Sequence, residues 1–524
     1  MSTHVLIMDT TLRDGEQTSG VSFTDSEKLT LSRILLDEVK VDRLEIASAR
    51  VSEGERKAAE RIIQWAGEHG HLEKIEILGF VDGGISVEWI RNVGGKVINL
   101  LGKGSLKHVK GQLRKTPGEH LADLKSTIAM VSQSGLTVNL YLEDWSNGMH
   151  HSPDYVYFML EGLVDQPINR LMLPDTLGIL TPHETYQFCE EIIRRFPVYR
   201  FDFHAHNDYD LAVANVMEAV RAGVTSVHTT VNGLGERAGN SVLSSVIAAI
   251  RDHLDVTTSV DESKLYKISK LVESFSGQRI PANKPLIGDN VFTQTCGVHA
   301  DGDTKDQLYF NNLMPERFGR TRKYALGKTS GKANIRKNLA EIGMELEESA
   351  LKKVTERVIE LGDKKEMVTI EDLPYIVADV LEWETIQERV KIVNYNLSHA
   401  KGLKPVASVA LKIDEKSYEA NASGDGQYDA FMNALKVIYK KLDRTLPSLT
   451  DYAVSIPPGG RTDALVETTI TWQNDREFKT RGIDTDQTFA AIKATEKMLN
   501  LIHVAQMADF PKTRKKKAEK TLKE

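Results

Sequence analysis

Short apolar, β-branched segments alternate with amphipathic helical segments through the first half of the chain. Eight such segments start 23 to 40 residues apart, which is the length of one strand with one crossover helix. Eight strand–helix units predict a (β/α)₈ TIM barrel over residues 1–265, with a doubly wound open sheet as the alternative. The predicted strands are Val5–Thr11, Asp42–Ala49, Lys74–Val81, Val97–Gly102, Thr137–Glu143, Arg170–Thr176, Arg200–His206 and Ser226–Gly233.

The intervening segments have the spacing of helices. In Ser26–Glu38 the apolar residues recur on one side, and Pro182–Phe196 follows Thr181, a residue type that caps helices. Residues 266–330 are less regular and predict a linker subdomain, whereas residues 331–388 predict a helical subdomain with charged faces. The α/β barrel is therefore followed by a helical region.

Residues 389–505 contain a βββα pattern that recurs at an offset of about 60 residues. The offset aligns alanines of the two predicted helices, Ala430 with Ala490 and Ala434 with Ala494. The repeat predicts a duplicated domain with two similar halves around one core. Such a domain could bind a small ligand or serve only for dimerisation.

Composition and charge exclude several classes of protein. With 41% hydrophobic and 27% charged residues, the 524-residue chain is not disordered, collagen-like or a coiled coil. Its net charge of -7 argues against binding to nucleic acid. No apolar run reaches the roughly 18 residues of a membrane span, and the N-terminus does not resemble a signal peptide, so we expect a cytoplasmic protein.

Two smaller features of the sequence give little information about function. Cys189 and Cys296 are too few for a disulfide scaffold or a cysteine-rich zinc site. Residues 506–524 form a basic tail, in which residues 511–524 hold seven Lys/Arg and two Glu. We expect a disordered, solvated end, with an arm that binds anions or RNA as the alternative.

Polar residues collect at the carboxyl ends of the predicted strands, where TIM barrels carry their chemistry. His204 and His206 are two apart on one strand and so point the same way, and Asp14 follows the first strand. Imidazole and carboxylate ligands together suit Zn²⁺, Mn²⁺ or Fe²⁺, and Mg²⁺ less well. The pattern predicts a metal site with Asn240 as a possible fourth ligand, although histidines are often merely hydrogen-bonded.

Two charged residues beside this site are catalytic candidates. Arg13 could hold a substrate carboxylate or stabilise an enolate oxygen, or it could simply pair with Glu16 or Asp14. Glu143 ends the fifth predicted strand. If half-buried, it would have the raised pKa of a general base, and otherwise it is an ordinary surface acid.

Three motifs resemble those of the α-isopropylmalate synthase, homocitrate synthase and citramalate synthase family. They are Thr11–Gln17 (TLRDGEQ), His204–Asp208 (HAHND) and Asn232–Asn240 (NGLGERAGN). The resemblance extends over residues 1 to about 503, and the duplicated domain is similar to the family's amino-acid-sensing regulatory domain. It implies an acyltransferase that condenses acetyl-CoA, as co-substrate, with a 2-oxo acid in a Claisen reaction.

The resemblance also implies roles for residues around the metal. Asp14, His204 and His206 would bind a divalent ion (Mn, Mg or Zn), with Asn240 close by. The ion would be chelated by the 2-oxo acid and would polarise its ketone. Arg13 would neutralise charge at the ketone or enolate oxygen.

Two alternatives remain for the group that deprotonates acetyl-CoA. Glu143 is one. The other is a set of residues, His299, Asp301 and Tyr309, which by resemblance would reach in from the linker of a partner subunit. The resemblance therefore implies a homodimer.

Substrate choice depends on the pocket wall. Leu78, Leu101 and Tyr141 would point inward near the side chain of the 2-oxo acid, and Thr176 is a further substrate-binding candidate. The small apolar pocket and the resemblance of Tyr141–Gly148 to citramalate synthases favour pyruvate, giving (R)-citramalate for isoleucine synthesis. The alternative is 2-oxoisovalerate, giving isopropylmalate for leucine, because one methylene discriminates by only about 1–3 kcal/mol.

The regulatory domain is expected to bind isoleucine as a feedback inhibitor. The predicted effector-binding residues are Tyr428, Asp429, Leu449, Tyr452, Ile456, Val466 and Gln487. Each of them could instead be part of the core. Two other function classes are open: retro-Claisen or carboxyl-transfer chemistry in the same type of barrel, and a non-catalytic amino-acid sensor with a decayed barrel.

Overall fold

The computed structural model describes residues 3–303, 305, 307–363, 368–381, 389–455, 466–474 and 477–506. The chain divides into two compact units, Met1–Thr293 with Phe310–Lys323, and Gln294–Tyr309 with Tyr324–Glu524. Within the described residues, no helix combines the length and apolar character needed to span a membrane. Ile456 and nearly all of the predicted basic tail lie outside the described residues.

Eight parallel strands close into a barrel in the first unit, which confirms the predicted TIM barrel and excludes the open sheet. The last strand pairs with the first, with Leu6 opposite Ser226. Every predicted segment contains one strand, but the eighth strand is shorter than predicted because Val231–Gly233 turns away. The strands are β1 (Leu6–Asp9), β2 (Arg43–Ser48), β3 (Ile75–Phe80), β4 (Val97–Lys103), β5 (Thr137–Glu143), β6 (Ile168–Asp175), β7 (Phe201–Ala205) and β8 (Ser226–Thr229).

Helices surround the barrel. The helix predicted over Ser26–Glu38 is α-helical over Asp25–Arg33 and continues as a π-helix over Ile34–Val39. Thr181 caps the helix Pro182–Arg195, as predicted, in a reciprocal capping box with Glu184. The other helices of this unit are Glu53–Glu68, Ile85–Asn92, Leu106–His108 with Val109–Leu113, Pro117–Gln133, Trp145–His151, Pro153–Gly162, Ala212–Arg221, Leu243–His253 and Leu265–Ser276.

The two faces of the barrel strands differ in chemistry. One set of alternate residues, such as Ile77 and Leu140, packs against the helices in one large apolar core. The other set points into the barrel interior and forms hydrogen bonds and ion pairs across it. For example, Arg43 on β2 forms an ion pair with Asp202 on β7. Buried residues of this set are Arg43, Glu45, Glu76, Asn99, Asn139, Arg170, Asp202 and His228. The interior is therefore polar where many barrels are aliphatic.

The second unit contains short helices followed by the duplicated domain. Its helices before the duplication are Gly297–Gly302, Lys332–Glu341, Glu348–Asp363 and Leu373–Val380. The first repeat consists of β9 (Val390–Ser398), β10 (Val406–Ile413), β11 (Lys416–Ser423) and the helix Gln427–Lys441. The second consists of β12 (Ser448–Ser455), β13 (Val466–Gln473), β14 (Glu477–Asp484) and the helix Gln487–Gln506.

The two repeats have the same internal structure, which confirms the predicted duplication. Each forms a three-stranded antiparallel sheet, and each first strand carries a register shift. Asn500 of the second helix hydrogen-bonds both the N–H (3.0 Å) and the carbonyl (2.7 Å) of Val390 on β9. Tyr428 and Thr495 join the two helices through their hydroxyls (2.8 Å). The halves therefore share one core.

Candidate active site

Three predicted ligands converge at the carboxyl end of the barrel. The ligand atoms of Asp14, His204 and His206 all lie within 4.8 Å of one another. His204 Nε2 is 3.2 Å and His206 Nε2 4.0 Å from Asp14 Oδ2. Both Asp14 oxygens are buried, and among the described residues neither accepts a hydrogen bond of good geometry, although His204 and Arg13 lie close. Buried carboxylates are normally satisfied, so this donor set fits a divalent cation, which would supply the missing partner.

The loop that carries Asp14 is held in place by backbone and side-chain contacts. The N–H groups of Arg13, Asp14 and Gly15 all donate to the carbonyl of Thr10 (3.2, 2.9 and 3.1 Å). The buried Lys28 ammonium donates to the carbonyl of Leu12 (3.0 Å). These contacts hold the backbone of the loop that carries Asp14.

Asn240 lies next to His206, to which it is paired by a β-bridge. Its Nδ2 donates to the carbonyl of Leu234 (3.0 Å), while its buried Oδ1 has no hydrogen-bond partner in the described part of the chain. Gly235 lies against the amide with a φ of 153°, and a Cβ there would be 2.2 Å from Asn240 Nδ2. The glycine-rich loop therefore leaves the Asn240 oxygen available as a fourth ligand.

The protonation states suit metal binding. Burial alone would raise the pKa of Asp14, but Arg13 and His204 outweigh it and hold that pKa well below its usual range. Burial lowers the pKa of His206 to about 4. At neutral pH the cluster thus presents an ionised carboxylate and a neutral imidazole, which are the forms that ligate metals.

Arg13 is anchored by a carboxylate that sequence analysis missed. Its Nε and Nη2 both lie 2.7 Å from Glu45 Oε2, whereas its Nη1 lies 3.4 Å from Asp14. Glu45 is fully buried and also accepts from Thr10 and Asn99 (both 2.8 Å). Glu16, the alternative partner of Arg13, instead pairs with Lys28 (2.6 Å). A charged residue between the apolar Leu44 and Ile46 was the available sign in the sequence.

The predicted pocket-wall residues lie together. Leu78 and Tyr141 form one buried apolar cluster with Met8 and Met172, and Leu101 packs against it. Met8 and Met172 were not predicted, although Met172 stands two residues from the inward-facing Arg170 on β6. The cluster shares Tyr141 with the polar site, since Arg13 Nη2 is 3.4 Å from its hydroxyl.

Glu143 and Thr176 lie at or just beyond the ends of neighbouring strands. The Glu143 side chain is 26% exposed and forms an ion pair with Lys103. Thr176 follows β6, and its hydroxyl accepts a hydrogen bond from the N–H of Asp144 (2.9 Å).

His299, Asp301 and Tyr309 belong to the second compact unit. The rings of His299 and Tyr309 are in contact, with centroids 4.2 Å apart. Asp301 pairs with Lys305 (2.7 Å) and is half exposed.

Five of the seven predicted effector residues line one pocket of about 1310 Å³ in the duplicated domain: Tyr428, Asp429, Leu449, Tyr452 and Gln487. The N-terminal ends of both repeat helices contribute to its lining. Val466 is instead buried at the start of β13, and Ile456 lies outside the described residues. Met432 and Leu446 add apolar lining that sequence analysis did not single out.

Comparison with protein families finds three matches along the chain. Residues 4–272 match the family described as HMGL-like. Residues 286–366 match the homocitrate synthase post-HMGL domain-like family, and residues 367–503 match the LeuA allosteric (dimerisation) domain.

Comparison with curated proteins finds relatives that cover most of the chain. "Putative (R)-citramalate synthase CimA" of Methanopyrus kandleri is 35% identical over 89% of this chain and 89% of its own length. In Methanocaldococcus jannaschii, "2-isopropylmalate synthase" is 33% identical (95% of this chain, 94% of the relative) and "(R)-citramalate synthase CimA" 32% (95% and 99%). Overall identity therefore does not separate the two substrate classes.

Proposed function

Because the chain belongs to the HMGL-like family and is an acyltransferase that converts acyl groups into alkyl groups on transfer, we propose that it condenses acetyl-CoA with pyruvate. The products would be (R)-citramalate and CoA. The proposed enzyme is a cytoplasmic homodimer, in keeping with a match to a dimerisation domain.

The observation that carries the choice of pyruvate is the apolar cluster beside the metal ligands. Leu78, Tyr141 and Met172 are buried within it. Tyr141 reaches both this wall and the guanidinium of Arg13, with its ring edge-on to His204 at a centroid distance of 6.3 Å. A wall of large side chains this close to the reacting centre favours a methyl group over a branched chain.

Asp14, His204 and His206 would hold the metal, with the Asn240 oxygen completing the set. When bound, the ion supplies a Lewis acid that polarises the ketone of the 2-oxo acid. Arg13 keeps its positive charge, since Glu45 and Asp14 outweigh the effect of burial on its pKa. It would stabilise negative charge as it develops on the ketone oxygen during carbon–carbon bond formation.

Glu143 is the proposed acceptor of the acetyl-CoA methyl proton. Its ion pair with Lys103 holds the carboxylate at the end of β5. His299, Asp301 and Tyr309 are the alternative, supplied by a partner subunit, and the contact between His299 and Tyr309 supports their acting as a group. Glu143→Gln and His299→Gln separate the alternatives, because only loss of the true base would abolish exchange of the methyl protons.

The direct test is CoA release from acetyl-CoA in Mn²⁺ with pyruvate or 2-oxoisovalerate. We expect kcat/KM for pyruvate to be at least about tenfold higher than kcat/KM for 2-oxoisovalerate, because one or two apolar groups change this ratio by about that factor. Preference for 2-oxoisovalerate would make the enzyme a 2-isopropylmalate synthase. Release with neither acid would point to another reaction of this family.

The pocket in the duplicated domain is proposed to bind isoleucine as a feedback inhibitor. Two helix N-termini would attract the carboxylate, Asp429 would pair with the ammonium group, and Leu449 with Tyr452 would contact the side chain. Titration of the pyruvate reaction with isoleucine and leucine tests the proposal. Stronger inhibition by leucine would contradict it.

A further inference from the structure

A buried histidine that the proposed reaction does not use lies directly behind the pocket wall. His228 on β8 has a fully buried side chain. Its Nδ1 is 3.2 Å from the hydroxyl of Tyr141, and its Nε2 is 3.1 Å from Asp202 Oδ2. Asp202 is in turn paired with Arg43 and Arg170. A continuous line of hydrogen bonds therefore runs from the barrel base to the pocket wall.

The direction of these hydrogen bonds follows from their partners. Asp202 faces two guanidinium groups, which keep it ionised, so it can only accept, and His228 Nε2 must carry a proton. A second proton on the buried ring would add one more cation to a site where Arg43 and Arg170 already pair with Asp202. His228 Nδ1 is therefore an acceptor, and Tyr141 O–H donates to it.

The other possible acceptor for the Tyr141 hydroxyl is already occupied. Glu45 Oε2 lies 3.5 Å from that hydroxyl and accepts from Thr10 and from two nitrogens of Arg13 at 2.7 to 2.8 Å. With its donor committed to His228, the Tyr141 oxygen can accept only from Arg13 Nη2 (3.4 Å). The hydroxyl then offers no donor to the pocket, and the ring is held at its far end.

We propose that His228, held by Asp202, is a specificity-determining positioning residue that locks the Tyr141 ring against Leu78 and so limits the size of the 2-oxo acid. The proposal rests on the assigned condensation of a 2-oxo acid with acetyl-CoA. A ring freed at its hydroxyl end could tilt and admit a larger side chain, whereas the groups that bind acetyl-CoA would be unaffected.

The test compares pyruvate with 2-oxobutyrate, one methylene larger, in four variants. His228→Asn keeps an acceptor where Nδ1 stands, and His228→Leu removes it. Tyr141→Phe removes the hydroxyl, and Tyr141→Phe/His228→Leu removes both partners. Ser226→Ala is the matched control, since Ser226 lies two residues away on the same strand and contacts Arg43 but not Tyr141.

We expect His228→Leu and Tyr141→Phe each to lower the preference for pyruvate over 2-oxobutyrate, measured as the ratio of their kcat/KM values, about fivefold or more. The change should come from KM for the 2-oxo acid, and KM for acetyl-CoA should stay the same. The double variant should be no worse than either single one, because all three break the same contact. His228→Asn should have a smaller effect on the preference than His228→Leu, because it keeps the acceptor for Tyr141 but loses the contact with Asp202. Ser226→Ala should leave the preference within about twofold of that of the parent.

Equal effects of His228→Asn and His228→Leu, or additive effects in the double variant, would overturn the proposal. The proposal would also be overturned if His228→Leu lowered kcat for both acids without changing the preference for pyruvate. If the parent enzyme uses 2-oxoisovalerate instead of pyruvate, the substrate assignment fails, but the same variants still test the lock on that acid and its larger homologue. If His228→Leu fails to fold, Tyr141→Phe and His228→Asn still decide.

Discussion

The barrel interior and the duplicated domain bury very different residues. Inside the barrel, Arg43, Glu45, Glu76, Arg170 and Asp202 are all at most 7% exposed and are linked in ion pairs and hydrogen bonds. The core of the duplicated domain is apolar, with Phe431, Leu435 and Trp472 among its buried side chains, and its buried polar residues are mostly threonines.

The difference reflects which side chains each core has to position. Burying paired charges costs desolvation energy, but a paired charge has few alternative positions. In the barrel these pairs end on Arg13 and Tyr141, the side chains that face the proposed substrate. In the duplicated domain the groups proposed to face the effector lie in a surface pocket next to the ends of both repeat helices, and an apolar core suffices to support this pocket.

The largest effect should come from removing a metal ligand. We expect Asp14→Asn to lower kcat/KM at least about a thousandfold, since Lewis-acid stabilisation is worth several kcal/mol. Calorimetric titration with Mn²⁺ should show weakened binding. His183→Asn, at an exposed histidine, is the control. Unchanged Mn²⁺ affinity in Asp14→Asn would mean that the cluster is not the metal site.

Breaking the buried pair at Arg13 should have the next largest effect. Glu45→Gln leaves the Arg13 guanidinium without its principal anion, and we expect kcat/KM to fall roughly a hundredfold. Glu38→Gln, which removes an exposed partner of Lys267, is the matched control. If Glu45→Gln and Glu38→Gln have the same kcat/KM, the buried network contributes to folding and not to catalysis.

A smaller effect is expected in the duplicated domain. Leu449→Ala removes apolar contact area from the proposed effector pocket, so the isoleucine concentration for half-inhibition should rise about tenfold or more. Val406→Ala truncates a comparably exposed apolar residue on β10 that does not line the pocket, and it should leave this concentration unchanged. A response to Val406→Ala as large as that to Leu449→Ala would contradict the assignment.

A further prediction concerns stability as a function of pH. Burial lowers the pKa of His228 from its ordinary value to about 4. Between pH 6.5 and 4 the unfolded chain therefore binds a proton that the folded protein does not, and the free energy of unfolding falls as the pH falls.

His228→Asn should remove this contribution, which is at most about 3 kcal/mol. The comparison is made by urea unfolding at several pH values. Other buried groups also make the free energy of unfolding depend on pH, such as Asp9, whose pKa burial raises to about 7. Because they contribute equally to the parent and the variant, they do not affect the difference between the two profiles. Parallel pH profiles for parent and variant would show that His228 is already charged in the fold.

Sequence patterns predicted the strands better than the partners of inward-facing side chains. The eight strands follow from apolar periodicity, because each must bury one face against helices. Glu45 and His228 could be placed facing inward by alternation alone. Their partners, Arg13 and Tyr141, lie 32 and 87 residues away in the chain and become neighbours only when the barrel closes.

Other differences have local causes. The helix after β1 ends in a π-helical turn over Ile34–Val39, which apolar spacing cannot distinguish from an α-helix. Val466, which the family resemblance implies as an effector residue, is buried at the start of a central strand whose alternate residues face the core. The effector-binding residues remain a prediction from the family resemblance, and five of them line one pocket at the N-terminal ends of the two repeat helices.

A competition experiment tests the proposed function most directly. The Mn²⁺-loaded enzyme is given acetyl-CoA with equal concentrations of pyruvate and 2-oxoisovalerate, and the products are quantified by mass spectrometry with and without isoleucine. The proposed function predicts predominantly citramalate, and less of it when isoleucine is present. Predominantly isopropylmalate, or citramalate formation that isoleucine does not affect, would contradict it.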